Sequence, residues 1–125
     1  TEYLSGEEVT LDTFSYNKNC FFYYPRIKDM YNRFVIDRPI FTPLLNDFTT
    51  KSNINYLWNL QLRYHNHKPY LLEVNPRYSG GSYFAEENGY PMLCSAIDLI
   101  MFNKPPIFKP LESINYKIIE SYLRF

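Results

Sequence analysis

The chain has 125 residues, 46% hydrophobic and 19% aromatic, which is enough to bury the core of one domain and excludes a disordered segment. Thirteen basic residues balance thirteen acidic ones, so there is no broad positive field, and nucleic acid and anionic membranes are excluded as general partners. No stretch of about 18 apolar residues exists to span a membrane, the opening TEYLSGEEV lacks the profile of a signal peptide, and Cys20 and Cys94 sit in apolar company as reduced core thiols, all of which points to a cytoplasmic protein.

No internal repeat or low-complexity linker divides the chain, so one unit over 1–125 is expected. EEVTLDTFSY alternates, with Val9, Leu11 and Thr13 opposed to Glu8, Thr10 and Asp12, and reads as a half-buried strand. Asn17-Lys18-Asn19 forms a hairpin turn into the β-prone aromatic run NCFFYYPRI. Residues 26–39 mix charge and apolar side chains without a period and read as a loop with a short strand, Arg33 and Arg38 being solvated there. Thr42-Pro43 predicts an N-cap and first helical position, with LLNDFTTKSN supplying the helix. INYLWNLQLRY and PYLLEVN are two further strands joined by a turn at HNHK, and His65 and His67 read as solvated turn residues rather than metal ligands. SYFAEENGY resembles a short helix closed by Gly89. The run PMLCSAIDLIMFNKP places Leu93, Ile97, Ile100 and Met101 at helical spacing, so this helix is expected to bury that stripe against the apolar face of the sheet. YKIIESYLRF reads as a last edge strand.

The chemistry concentrates in LLEVNPRYSGG, residues 71–81. Strand alternation puts Leu72 and Val74 on one face and Glu73 and Asn75 on the other. A carboxylate and an amide oxygen two residues apart suit a hard cation such as Mg²⁺, and Gln61 adds a third oxygen if the hairpin sets it opposite Glu73. That register places Asn59 opposite Asn75 and requires either an odd-numbered loop or a bulge. Arg77 offers planar donors for phosphate oxygens, and Gly80-Gly81 gives backbone access to a polyphosphate. The same E-x-N pattern, taken alone, also describes a solvated sheet face. The 13 tyrosines and 10 phenylalanines read as core and sheet packing rather than base-stacking platforms.

LLEVNPRYSGG, preceded by NLQLR with Gln61 twelve residues before Glu73, resembles the C-terminal motif of the ATP-grasp superfamily, as found in carbamoyl phosphate synthase large chains and related carboxylate-amine ligases. EYLSGEEVTLD resembles the hinge of that fold, and AIDLIMFNKPP its closing helix, with Asn103 where glycine is usual. The likeness runs in order from residue 2 to about residue 106. It implies an α+β fold, an antiparallel sheet with helices packed on one face, forming the C-terminal ATP-binding subdomain. It implies ATP and Mg²⁺, or Mn²⁺, as cofactors, with Gln61, Glu73 and Asn75 as metal ligands and Arg77 as the catalytic contact to the transferring phosphate. Glu8 then holds the ribose hydroxyls, Tyr3 and Leu4 offer backbone groups to adenine, and Arg26 faces the phosphates.

The reaction implied is activation of a carboxylate as an acyl phosphate for attack by an amine. The N-terminal and lid domains of the family would precede Thr1, so the chain is expected to be a partial domain, inactive alone, whose exposed apolar surface favours a homo-oligomer. The alternative is a non-catalytic ATP-grasp-like module that binds nucleotide or assembles with a partner chain.

Overall fold

The computed structural model describes residues 6–28, 33–112 and 114–115. Among the described residues six strands form one sheet in the order β5-β4-β1-β2-β3-β6, namely β1 Glu8–Tyr16, β2 Asn19–Lys28, β3 Arg33–Val35, β4 Tyr56–His65, β5 Lys68–Asn75 and β6 Ile114–Asn115. Every neighbouring pair is antiparallel. Three α-helices are found among the described residues and give the α+β fold: α1 Phe41–Ser52, α2 Tyr83–Glu87 and α3 Met92–Phe102. The expected YKIIESYLRF strand lies outside the described residues, and β6 precedes it.

Two hairpins, β1–β2 at the centre of the sheet and β4–β5 at one edge, are built by the same device. Each turns through two residues with positive φ, Asn17 and Lys18 in the first, Asn66 and His67 in the second, the backbone that matches strand twist. Such a loop makes paired residue numbers sum to an odd constant near the turn. Beyond it each hairpin shifts register by one, at Phe14/Ser15 in β1–β2 and at Gln61/Leu62 in β4–β5. The second shift leaves Leu72 as the extra residue, and past it Gln61 pairs with Glu73 and Asn59 with Asn75. Register and turn are both satisfied because a bulge absorbs the difference.

The sheet is mostly apolar on one face, where Thr13 and Ser15 are the buried polar exceptions in β1, and apolar on the other over only part. Val9, Leu11, Ile27, Trp58, Leu60 and Leu62 point to the first face and are covered by Phe41 and Leu45 of α1. Phe14, Phe22, Tyr24 and Val35 occupy one end of the second face and are covered by Phe84 and Ala85 of α2 and by Met92, Ala96 and Leu99 of α3. The helices therefore divide between the two faces, whereas a single covered face was expected, and α3 lies on the face that carries Asp12 and Asn59. The aromatic run in β2 explains this, because alternation sends Phe22 and Tyr24 to the nominally polar side, where they need their own cover.

Helix limits differ from expectation for local reasons. α1 begins at Phe41, whose N–H donates to the Arg38 carbonyl at 3.0 Å, so Thr42 is inside the first turn and no side chain caps it. The Thr42 hydroxyl instead contacts the Tyr23 phenol at 2.8 Å. α3 buries Met92, Ala96 and Leu99, while Leu93, Ile97, Ile100 and Met101 are exposed, the reverse of the expected stripe. This helix is apolar all round, so hydrophobic spacing alone does not select its inner face. Its start is capped from outside, by Glu86 of α2, which accepts the Leu93 N–H at 2.8 Å. Its end uses Asn103 at φ 50°, a left-handed position where asparagine substitutes for glycine.

Candidate active site

The uncovered end of the second sheet face holds the polar residues. Pairing across β5, β4, β1 and β2 aligns Glu73, Gln61, Thr10 and Arg26 in one row and Asn75, Asn59, Asp12 and Tyr24 in the next. Opposed residues in an antiparallel pair share a face, so Gln61, Glu73 and Asn75 are brought together as the sequence predicts. Asn75 Nδ2 donates to Asn59 Oδ1 at 3.1 Å, and Asn59 Nδ2 donates to the Arg77 carbonyl at 3.5 Å. With its amide nitrogen turned to Asn59, Asn75 keeps its oxygen for a ligand. The Glu73 carboxylate is exposed and the Gln61 amide half-buried, and neither makes a side-chain hydrogen bond or ion pair among the described residues.

This donor set fits Mg²⁺. One carboxylate and two amide oxygens are hard ligands, and their small number leaves positions for water and phosphate oxygens, as Mg²⁺ prefers. Among the described residues no group of three or more His, Cys, Asp or Glu side chains is placed to hold a metal. A cation held here would depend on the amide oxygens of Gln61 and Asn75 together with Glu73.

Asp12 is the centre of the adjacent row and behaves oppositely to Glu73. It is 1% exposed and its acceptor sites are filled. Arg26 Nε donates to Oδ2 at 2.5 Å and Nη2 to Oδ1 at 3.3 Å, and the Ser79 and Ser82 hydroxyls each donate to Oδ1 at 3.0 Å. Arg26 also donates to Ser79 Oγ at 3.3 Å. A Cβ at Gly81 would overlap the Arg26 guanidinium. The glycine at this position is thus explained by a close approach of Arg26 to the backbone, where the sequence reading assigned that approach to polyphosphate. Gly80–Ser82 form a single 3₁₀ turn leading into α2.

The other expected residues are distributed around this floor. Arg77 is exposed just beyond Asn75, with its N–H bonded to the Asn75 carbonyl at 2.8 Å. Glu8 lies at the far end of the face, two strand positions from Thr10, and is paired with Arg63 at 2.9 Å. Tyr3 and Leu4 lie outside the described residues. Arg38 is paired with Glu7 at 2.8 Å and sits 4.9 Å over the Tyr64 ring, while Arg33 is buried in β3, so both are placed by the fold rather than solvated. His67 is a turn residue as read, and the half-buried His65 ring stands 6.4 Å from that of Tyr70. Asp12, Ser79 and Ser82 were not singled out by the sequence reading. Their contacts join residues 67 and 70 positions apart, and no local pattern carries them.

Tyr78 ties the loop after β5 to α2, its hydroxyl donating to Glu86 at 3.3 Å. Burial, followed by the nearby Glu86 carboxylate, pushes its phenol up to about 12.

No curated protein matches the chain. A family model described as ATP-grasp in the biosynthetic pathway with Ter operon matches residues 1–121. With nearly the whole chain matched and an α+β antiparallel sheet carrying the motif strands side by side, the chain belongs to this ATP-grasp family.

Proposed function

We propose that the chain is the C-terminal part of an ATP- and Mg²⁺-dependent ligase, similar to the carbamoyl phosphate synthase large chain, that activates a carboxylate as an acyl phosphate for capture by an amine. The observation that carries this reading is the register of β4 and β5, which presents Gln61, Glu73 and Asn75 on one face with Asn59 orienting Asn75. Gln61, Glu73 and Asn75 would hold Mg²⁺, which when bound would neutralise the ATP phosphates and favour in-line transfer.

The chain's own groups do the remaining work. Arg77, exposed beside Asn75, donates to the equatorial oxygens of the γ-phosphoryl group as its bond to the ADP oxygen breaks and a bond to the substrate carboxylate forms. The amine lone pair then attacks the acyl carbon, phosphate departs with the former carboxylate oxygen, and the nitrogen passes one proton to the departing phosphate, leaving a neutral amide. Arg26, already neutralised by Asp12, adds a fixed dipole at the edge of the phosphate site rather than a full unpaired charge. Glu8 accepts from the ribose hydroxyls while keeping its pairing with Arg63, and the backbone of Tyr3 and Leu4 meets adenine.

Calorimetric titration with ATP, with and without Mg²⁺, tests the assignment. The expected outcome is Mg²⁺-dependent binding that weakens by tenfold or more in Glu73→Gln, with the unfolding transition unmoved because Glu73 is exposed and has no side-chain partner among the described residues. Unchanged Mg²⁺-dependent affinity in that variant overturns the metal site.

A further inference from the structure

A second concave site lies away from the candidate active site. β3 pairs with only Arg26–Lys28 of β2, so among the described residues the outer edge of Cys20–Tyr24 has no strand beside it. A pocket of about 300 Å³ opens there, walled by Phe21, Tyr23, Asp37, Thr42, Asn46 and Leu111. In the sheet order, β2 and β1 separate it from the β4–β5 hairpin, so its occupant would not touch Gln61, Glu73 or Asn75.

The chemistry of the walls defines that occupant. Asp37 has one oxygen engaged, accepting the Tyr23 phenol at 2.5 Å and the Arg38 N–H at 2.8 Å, and its other oxygen makes no hydrogen bond or ion pair among the described residues. The adjacent arginine does not neutralise it, because Arg38 is committed to Glu7. Tyr23 and Thr42 fix the carboxylate from the side, their hydroxyls 2.8 Å apart. The Asn46 side chain makes no hydrogen bond among the described residues. Phe21, the extra residue at the β1–β2 register shift and 39% exposed, and Tyr23 supply aromatic rings. The start of α1 contributes roughly half a positive charge, less than the full negative charge of Asp37, so the pocket remains anionic. A carboxylate with aromatic walls is the environment that attracts an organic ammonium ion.

We propose that this pocket binds a small primary ammonium compound with a short aliphatic chain, the ammonium meeting Asp37 and Asn46 and the chain lying against Phe21 and Leu111. The site stands independently of the ligase assignment. The test is titration of the ¹⁵N-labelled chain with n-butylammonium chloride, with n-butanol and sodium butyrate as neutral and anionic matches, following backbone amide shifts. Saturable shifts at Phe21, Tyr23, Asp37 and Asn46 are expected with the ammonium, at least tenfold weaker with the alcohol and absent with butyrate. Asp37→Asn retains an acceptor for Tyr23 and Arg38 and is expected to weaken ammonium binding tenfold or more, while Asn46→Ala gives a smaller loss. Equal response to butanol, or undiminished affinity in Asp37→Asn, overturns the proposal, as does the absence of any saturable shift. Glu73→Gln is expected to leave these shifts unchanged, which separates the outcome from that of the nucleotide site.

Discussion

Two carboxylates on one sheet face, Glu73 and Asp12, show how environment divides roles between identical chemical groups. Glu73 is exposed without a partner among the described residues, free to meet a cation. Asp12 is enclosed and its acceptor positions are saturated by Arg26, Ser79 and Ser82, so its charge is spent on structure. Breaking a buried pair by removing one partner leaves the other charge uncompensated, at a cost of about 3–5 kcal/mol. Asp12→Asn keeps the shape but loses the charge, and it is expected to destabilise the chain by about 3 kcal/mol in urea titration. A loss below about 1 kcal/mol, within the range of a surface pair, would show that Asp12 and Arg26 do not act as a buried unit.

At the level of elements, the hairpins and helices differ in how completely their sequences determine them. The hairpins, with turns read at Asn17-Lys18-Asn19 and at HNHK, and their four strands were legible from period-two alternation, and the Gln61–Glu73 pairing was legible as a condition that needs an odd loop or a bulge, which the extra residue Leu72 meets. The inner face of α3 was not legible, since MLCSAIDLIMF carries only Asp98 as a charge and offers no polar side to turn outward. The same ambiguity sets an expectation for mutagenesis. Leu99→Ala, which truncates a buried side chain, should cost about 2–4 kcal/mol, whereas Ile100→Ala and Met101→Ala, on the exposed side, should each fall within about 0.5 kcal/mol. Urea midpoints of the three variants check this, and equal losses would mean that the outer stripe is covered in solution.

Across the whole molecule, the division of helices between faces was hidden for a related reason. The aromatic residues of β2 alternate with apolar neighbours, so both faces of that strand are greasy, and only the pairing with β1 assigns each residue to a layer. The grouping of Gln61, Glu73 and Asn75 on one face was legible because E-x-N and Gln61 lie within one hairpin. The Asp12 cluster was not, because it is assembled from distant segments.

Global titration behaviour follows from the same burial. The phenols of Tyr23 and Tyr78 are both raised to about 12, burial being the first cause in each, and burial raises the Cys20 thiol to about 11. In the unfolded chain these groups ionise first, so the folded form binds more protons in the alkaline range. Stability is therefore expected to be fully present below about pH 9, and to fall as pH rises through 11 and 12. Urea midpoints measured from pH 8 to 12 should show this decline, with a shallower slope in Tyr23→Phe. A flat profile would contradict the burial of these groups.

The clasp of Asp12 on Arg26, Ser79 and Ser82 also has a mechanical meaning. It fastens the turn that follows Arg77 to the two central strands of the sheet, so the segment that begins at Arg77 is pinned at its far end. The turn between β5 and α2 is therefore held to β1 and β2 as one piece, and a displacement of α2 has to be carried into the centre of the sheet.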